Sequence, residues 1–119
     1  MSRIALLAAG LVATLALAAP IGATSSVTKL TGTVGPGFTI SLKKGTAKVK
    51  TLRAGTYKIT VSDKSKIHDF HLMGPGVNKV ITTTPFKGMK TVTVKLKKGT
   101  YKYICDPHAT VMKGSFKVT

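Results

Sequence analysis

Residues 100–112 read TYKYICDPHATVM and give the clearest indication of the fold. In its first half Tyr101, Tyr103 and Cys105 alternate with Lys102, which is the period of a half-buried β-strand. The tyrosine side faces the core, because the intervening lysine is rarely buried. The pattern therefore predicts a strand that ends by delivering Cys105 to the interior.

The rest of the chain after residue 23 has the same strand-and-turn character, with no convincing 3.6-residue period. Short β-branched segments are separated by turns that contain Gly and Pro, such as Gly35-Pro36-Gly37. The series is typical of an all-β sandwich or barrel. The predicted strands are Val27–Val34, Phe38–Leu42, Ala47–Leu52, Thr56–Ser62, His68–Met73, Val77–Thr83, Thr91–Leu96, Thr100–Cys105 and Gly114–Val118.

A short internal repeat supports this assignment. The segment LRAGTYK at residues 52–58 matches LKKGTYK at residues 96–102. Each reads as a turn that leads into a strand whose first inward residue is a tyrosine. Two copies are too few for a solenoid, so we interpret them as equivalent corners of one sandwich.

Residues 1–23 read as a signal peptide. Arg3 is followed by an apolar run from Ile4 to Ala19, which is short for a membrane span. Small residues favour cleavage after Ala23, with an earlier cut after Ala18 as the alternative. We expect an exported domain at residues 24–119, periplasmic, extracellular or at the cell surface. An uncleaved membrane anchor is the competing interpretation.

The chain is strongly basic, with a formal net charge of +16 and only Asp63, Asp69 and Asp106 as acids. Its lysines alternate with apolar residues instead of clustering, which indicates the solvated faces of strands. This pattern and the predicted export argue against a nucleic-acid partner. A field of this sign favours anionic partners such as cell-envelope polymers, lipid head groups or an acidic protein.

Cys105 is the only cysteine, and a lone thiol in an exported protein needs an explanation. It pairs with another chain, lies inert in the core, or binds a metal. The loop that follows it adds the imidazole of His108 and the thioether of Met112. Thiolate, thioether and imidazole donors together suit copper.

A further ligand has to come from outside this loop, and the segment around residue 70 offers two histidines. His68 shares strand parity with apolar Phe70 and Leu72, whereas His71 lies on the opposite side. We therefore predict a metal site made by His68, Cys105, His108 and Met112. The alternative for His68 is an ordinary core histidine.

In these residues the chain resembles the small blue-copper proteins, or cupredoxins. In that family a mid-chain histidine precedes a Cys-x-x-His loop and a methionine. Here that set is His68, Cys105, His108 and Met112, and the likeness covers essentially the whole region after residue 23. The resemblance implies a Greek-key β-sandwich that holds one type 1 copper ion near one end. It also implies a monomer that carries single electrons between redox partners, with His108 as the electron port.

Two other function classes compete with electron transport. A copper-binding or copper-buffering module would bind the metal without passing electrons. A redox enzyme is disfavoured, because three histidines in total cannot supply further copper centres. We expect no enzymatic activity from this chain alone, and an acidic redox protein as its partner.

The sequence departs from the family at Asp69, where relatives usually carry Asn. That Asn ties the histidine segment to the residue after the cysteine, which here is Asp106. Two facing carboxylates repel each other if both are ionised. We therefore predict that one has a raised pKa, or that Lys66 or Lys113 compensates the charge.

Overall fold

The structure is a computed structural model that describes residues 27–119, so the predicted signal peptide lies outside the described residues. In this range there is no α-helix, and no helix is long and apolar enough to cross a membrane. The elements are β1 (Thr28–Val34), β2 (Ile40–Lys44), β3 (Ala47–Lys48), β4 (Thr51–Leu52), β5 (Gly55–Asp63), β6 (Phe70–Gly74), β7 (Val77–Thr82), β8 (Gly88–Leu96), β9 (Gly99–Ile104), a 3₁₀ turn (Asp106–His108) and β10 (Lys113–Val118).

The strands form two mixed five-stranded sheets. The first has the order β3-β2-β1-β5-β8 and the second has the order β4-β10-β9-β6-β7. The β1–β5 and β4–β10 pairs are parallel and the others are antiparallel. One apolar core contains side chains of both sheets, which confirms the predicted all-β sandwich.

Aromatic rings from the second sheet fill much of this core. Phe70 stacks on Tyr103 with ring centroids 5.6 Å apart, and Tyr101 stacks on Phe116 at 5.4 Å. Gly114 pairs with Tyr103 across β9 and β10, and a methyl group at residue 114 would overlap the tyrosine ring. The absence of tryptophan is thus compensated by close packing of smaller rings.

The faces of the strands agree with the parity predicted from the sequence. Tyr101, Tyr103 and Cys105 are buried, whereas Lys102 and every other lysine from residue 29 to residue 117 are exposed. In both copies of the internal repeat the tyrosine hydroxyl bonds the backbone of the residue four positions earlier, but in opposite directions. The Tyr57 hydroxyl donates to the Arg53 carbonyl at 2.7 Å, and the Tyr101 hydroxyl accepts the Lys97 N–H at 2.9 Å.

The predicted strands differ from the observed ones by one to three residues at their ends, and two of the differences change the placement of the chain. The single strand predicted at Ala47–Leu52 is wrong, because β3 pairs with β2 in the first sheet and β4 pairs with β10 in the second. Between them Val49 is buried and donates its N–H to the Leu42 carbonyl, so the chain changes sheets at this point. The strand predicted from His68 begins at Phe70, which leaves His68 in the preceding turn.

Candidate metal centre

The loop between β9 and β10 is held closed by its own backbone. The Cys105 N–H donates to the Met112 carbonyl at 3.0 Å, and the Met112 N–H donates to the His108 carbonyl at 2.8 Å. Residues Asp106–His108 form one 3₁₀ turn with Pro107 inside it. These bonds place Cys105, His108 and Met112 around one compact turn.

His68 reaches the same place from the turn before β6. Its Nδ1 atom lies 3.1 Å from His108 Nδ1 and 3.6 Å from Cys105 Sγ, and His108 Nδ1 is also 3.6 Å from that sulfur. His68 and Cys105 are fully buried, and His108 is half-buried. Side chains separated by about forty positions thus direct three donor atoms at one point.

These three donors fit a single metal ion. A point in the plane of the three atoms lies about 2.0 Å from each of them, close to the length of a metal–imidazole bond in proteins. Two imidazoles and one cysteine in a trigonal plane are the donor set of electron-transfer copper sites. The donors therefore match copper in number, type and spacing.

The Cys105 thiol is buried, and burial disfavours its charged form. Burial raises its pKa above the ordinary value, although the backbone N–H of Asp69 works in the other direction. That N–H lies 3.5 Å from the Cys105 sulfur. Metal binding to such a thiol therefore releases a proton. The charge of the bound cation then compensates the charge of the buried thiolate.

Met112 lies at the return of the loop and is fully buried. Its backbone joins both Cys105 and His108, so its side chain belongs to the same packed unit as the other predicted ligands. The sequence-based prediction that its thioether supplies a weak axial ligand stays a prediction.

A hydrogen-bonded chain of polar side chains supports the loop on its outer side. The Asp106 N–H donates to the Asp69 carboxylate at 2.6 Å, which is the tie that the resemblance assigns to an Asn. Burial and, to a smaller extent, the neighbouring Asp106 carboxyl together raise the pKa of Asp69 to about 6. This direction agrees with the prediction that one of the two carboxyls has a raised pKa.

The positive partner of this pair is His71, and neither Lys66 nor Lys113 forms an ion pair among residues 27–119. Both oxygens of Asp106 lie 3.0 Å from His71 Nδ1, and Asn78 Oδ1 lies 2.6 Å from His71 Nε2. Because both ring nitrogens face acceptors, the doubly protonated ring is favoured. Burial acts to lower the pKa of His71, but these hydrogen bonds outweigh it and the pKa is raised.

No role for His71 or Asn78 was predicted from the sequence. The available signal was parity, because Asp69 and His71 are two positions apart and share one side of the predicted strand, and Asp69 was expected to face Asp106. The contact with Asn78 depends on the β6–β7 register, which parity does not determine.

Phe38 covers the metal-ligand end of the molecule. Its ring meets the His68 ring edge-on at 5.6 Å and the His108 ring at 4.9 Å, while 59% of its own surface stays exposed. Gly35 lies below it with φ +74°, where a methyl group would press on His68 at 3.1 Å. The β1–β2 loop therefore packs on both imidazoles and leaves an apolar ring at the surface.

Comparisons with known proteins agree with this geometry. The family described as copper binding proteins, plastocyanin/azurin family, matches residues 38–119. No curated protein matches the chain.

Among solved structures, the copper protein rusticyanin is 22% identical over 76% of both chains, with a TM-score of 0.55. Rusticyanin variants with serine-to-aspartate and methionine-to-leucine substitutions are 26% identical over 76% of both chains, with a TM-score of 0.51. A chain of a heme-copper terminal oxidase dimer is 20% identical over 76% of this chain and 63% of its own, with a TM-score of 0.53.

The family match and the cluster of His68, Cys105 and His108 identify a single type 1 copper ion as the cofactor. The chain belongs to the plastocyanin/azurin family of copper binding proteins, and it is a blue-copper protein of the cupredoxin type.

Proposed function

We propose that this protein is an exported carrier of single electrons in which His68, Cys105, His108 and the thioether of Met112 would hold the copper. The observation that carries the proposal is the triangle of 3.1, 3.6 and 3.6 Å between the two Nδ1 atoms and the sulfur. When bound, copper supplies a one-electron Cu(II)/Cu(I) couple.

The protein's own contribution is to hold the donors still. His68 and Cys105 are packed in the core, the loop is closed by backbone hydrogen bonds, and Asp69 ties it to the His68 segment. Donors that keep their positions leave little to reorganise when the charge of the site changes. His108 is the half-buried member of the set, so we assign the exchange of electrons with partners to its ring.

The experiment is to load the protein with Cu(II) and to record its absorption spectrum and its voltammogram. We expect an intense blue band from the cysteine–copper bond and a reversible one-electron wave. The Cys105→Ser variant should lose the band. His68→Gln should lose it too, whereas His71→Gln is the matched control, because its ring bonds Asp106 and Asn78 instead.

The same experiment tests copper buffering, the second candidate function. Soft donors such as Cys105 and Met112 also suit Cu(I). Uptake of Cu(I) without a blue Cu(II) form and without a reversible wave would establish buffering and contradict electron transport.

We further propose that the chain has no catalytic activity of its own. Two of its three histidines lie in the metal cluster, and His71 is engaged by Asp106 and Asn78, so no histidine is free for a second copper centre. Turnover of oxygen or nitrite by the purified copper protein would contradict this.

Export and an acidic redox partner complete the proposal, in which the carrier acts as a monomer in the periplasm or at the cell surface. The apolar run from Ile4 to Ala19 supports export, and the net charge of +16 supports an anionic partner. N-terminal sequencing of the protein recovered from its host should begin at Thr24. A chain that still begins at residue 1 and stays with the membrane would contradict export.

A further inference from the structure

A groove of about 650 Å³ lies on the outer face of the second sheet, beside the ligand loop. Apolar side chains of Met73, Ile104 and Ala109 line it, and all three are half-buried. Exposed lysines border the same groove: Lys48, Lys102 and Lys113. The groove therefore combines an apolar surface with three ammonium groups at its edge, which suits a ligand that is both apolar and negatively charged.

The lysines of the groove have no partner of opposite charge in the part of the chain that the structure describes. Lys102 lies opposite Ser115, and Lys113 lies opposite Ile104 on the neighbouring strand. Lys102 and Lys113 are therefore diagonal neighbours, roughly 7–8 Å apart at their backbones. Their mutual repulsion is relieved by an anion placed between them.

The acids of the chain are engaged elsewhere. Asp63 is buried and accepts the Ser65 N–H, Asp69 accepts the Asp106 N–H, and Asp106 pairs with His71. The compensating negative charge for the groove therefore has to come from another molecule.

The groove is joined directly to the metal centre through the backbone. Ile104 is bonded to Cys105, and Ala109 follows His108. A ligand in the groove therefore lies one residue away from two of the proposed copper ligands. The opposite outer face, on the first sheet, also carries lysines but has no such connection.

We propose that this groove binds an acidic peptide segment on the protein with which this chain exchanges electrons. The inference rests on the proposed electron-carrier function and adds to it the site where the partner docks. A single inorganic anion would leave most of the volume and the apolar lining unused. A segment that combines two or three carboxylates with an apolar side chain matches both the lysines and the lining.

The test is a titration of the reduced, copper-loaded protein with a synthetic ten-residue peptide rich in Asp and Leu, followed by NMR. We expect the largest shifts at Met73, Ile104 and Ala109. The variant Lys48→Gln/Lys102→Gln/Lys113→Gln should weaken binding about tenfold, as expected for the loss of several modest charge contacts.

A matched triple variant controls for net charge. Lys29→Gln/Lys58→Gln/Lys95→Gln removes the same charge from exposed lysines on the first sheet, where Lys29 and Lys58 lie on adjacent strands. It should weaken binding less than about threefold, since distant charges are screened by salt. Equal weakening by the two triple variants would show a diffuse attraction to any polyanion and overturn the docking site.

The failure of this inference is distinguishable from failure of the proposed function. Peptide binding that leaves the Ile104 and Ala109 signals unchanged would overturn the groove, while the blue band and the reversible wave persist. Conversely, a protein that binds the peptide in the groove but has no reversible wave would overturn electron transport and the nature of the partner.

Discussion

The carboxylate of Asp69 accepts a hydrogen bond from the backbone N–H of Asp106 at 2.6 Å. The N–H of Asp69 in turn lies 3.5 Å from the sulfur of Cys105. The residue after His68 therefore joins the two parts of the chain that supply the proposed ligands. A carboxylate performs here the tie that the resemblance to cupredoxins assigns to an Asn.

Replacing Asp69 by Ala should destabilise the metal-free protein by about 1–3 kcal/mol, because the Asp106 N–H loses its acceptor. Asp69→Asn keeps an acceptor without the charge and should be at least as stable as the original at pH 7. Urea unfolding followed by fluorescence measures both. An Ala variant as stable as the Asn variant would show that the bond contributes little.

The stability of the metal-free protein should decline as the pH rises from about 4 to 7. Burial raises the pKa of Asp69 from 3.8 to about 6, so the native state holds this proton more tightly than the unfolded chain does. The resulting stabilisation is complete below pH 3.8 and is lost as the pH rises through 6. Asp106 has a lowered pKa and acts oppositely, but only as the pH falls below 3.8.

The effect of Asp69 is isolated by measuring the unfolding free energy against pH in the original protein and in the Asp69→Asn variant and comparing the two slopes. Between pH 4 and 7 the unfolding free energy of the variant should change by about 1–2 kcal/mol less than that of the original protein. Parallel curves would mean that the Asp69 carboxyl has the same pKa in the native and the unfolded state.

His71 should remain protonated at a higher pH than an ordinary histidine, because both of its nitrogens face acceptors. Its contribution to stability is present below the ordinary pKa of 6.5 and is lost as the pH rises through its raised pKa. NMR titration of the ring carbons measures the pKa directly. Asn78→Ala should lower that pKa, and an unchanged value would contradict the role of the Asn78 contact.

Met112→Leu should retain the blue band and shift the reduction potential upward, on the order of 60 mV for a tenfold change in relative affinity for the two oxidation states. The reason is that a weak axial donor supports Cu(II) more than Cu(I), and Leu cannot donate. Met89→Leu is the control, because Met89 is 68% exposed. Equal potentials in the two variants would exclude Met112 as a ligand.

Gly114→Ala should destabilise the protein by about 1–3 kcal/mol, since the added methyl group overlaps the ring of Tyr103 in a packed core. Gly37→Ala is the matched substitution, because nothing lies within 4 Å of the added methyl group at residue 37. Thermal unfolding of the two variants measures the difference. Similar unfolding temperatures would show that Tyr103 moves aside at no cost.

Local patterns were enough to predict which side chains face the core. Tyr101, Tyr103 and Cys105 are buried as their alternation with Lys102 indicated, because side-chain direction along a strand has a period of two. The same reasoning placed His68 inside, and its side chain is fully buried although it precedes β6. The change of sheets within residues 47–52 was missed, because no local pattern distinguishes one strand from two short ones.

The donors of the loop could be read directly from the chain, since Cys105, His108 and Met112 are neighbours in sequence and their spacing needs no distant contact. The folded structure was needed to show that His68 Nδ1 approaches His108 Nδ1 to 3.1 Å and that His71, not a lysine, balances Asp106. The physical reason is that such contacts depend on how separate strands and turns are brought together, and pairing between strands is a property of the folded sheets.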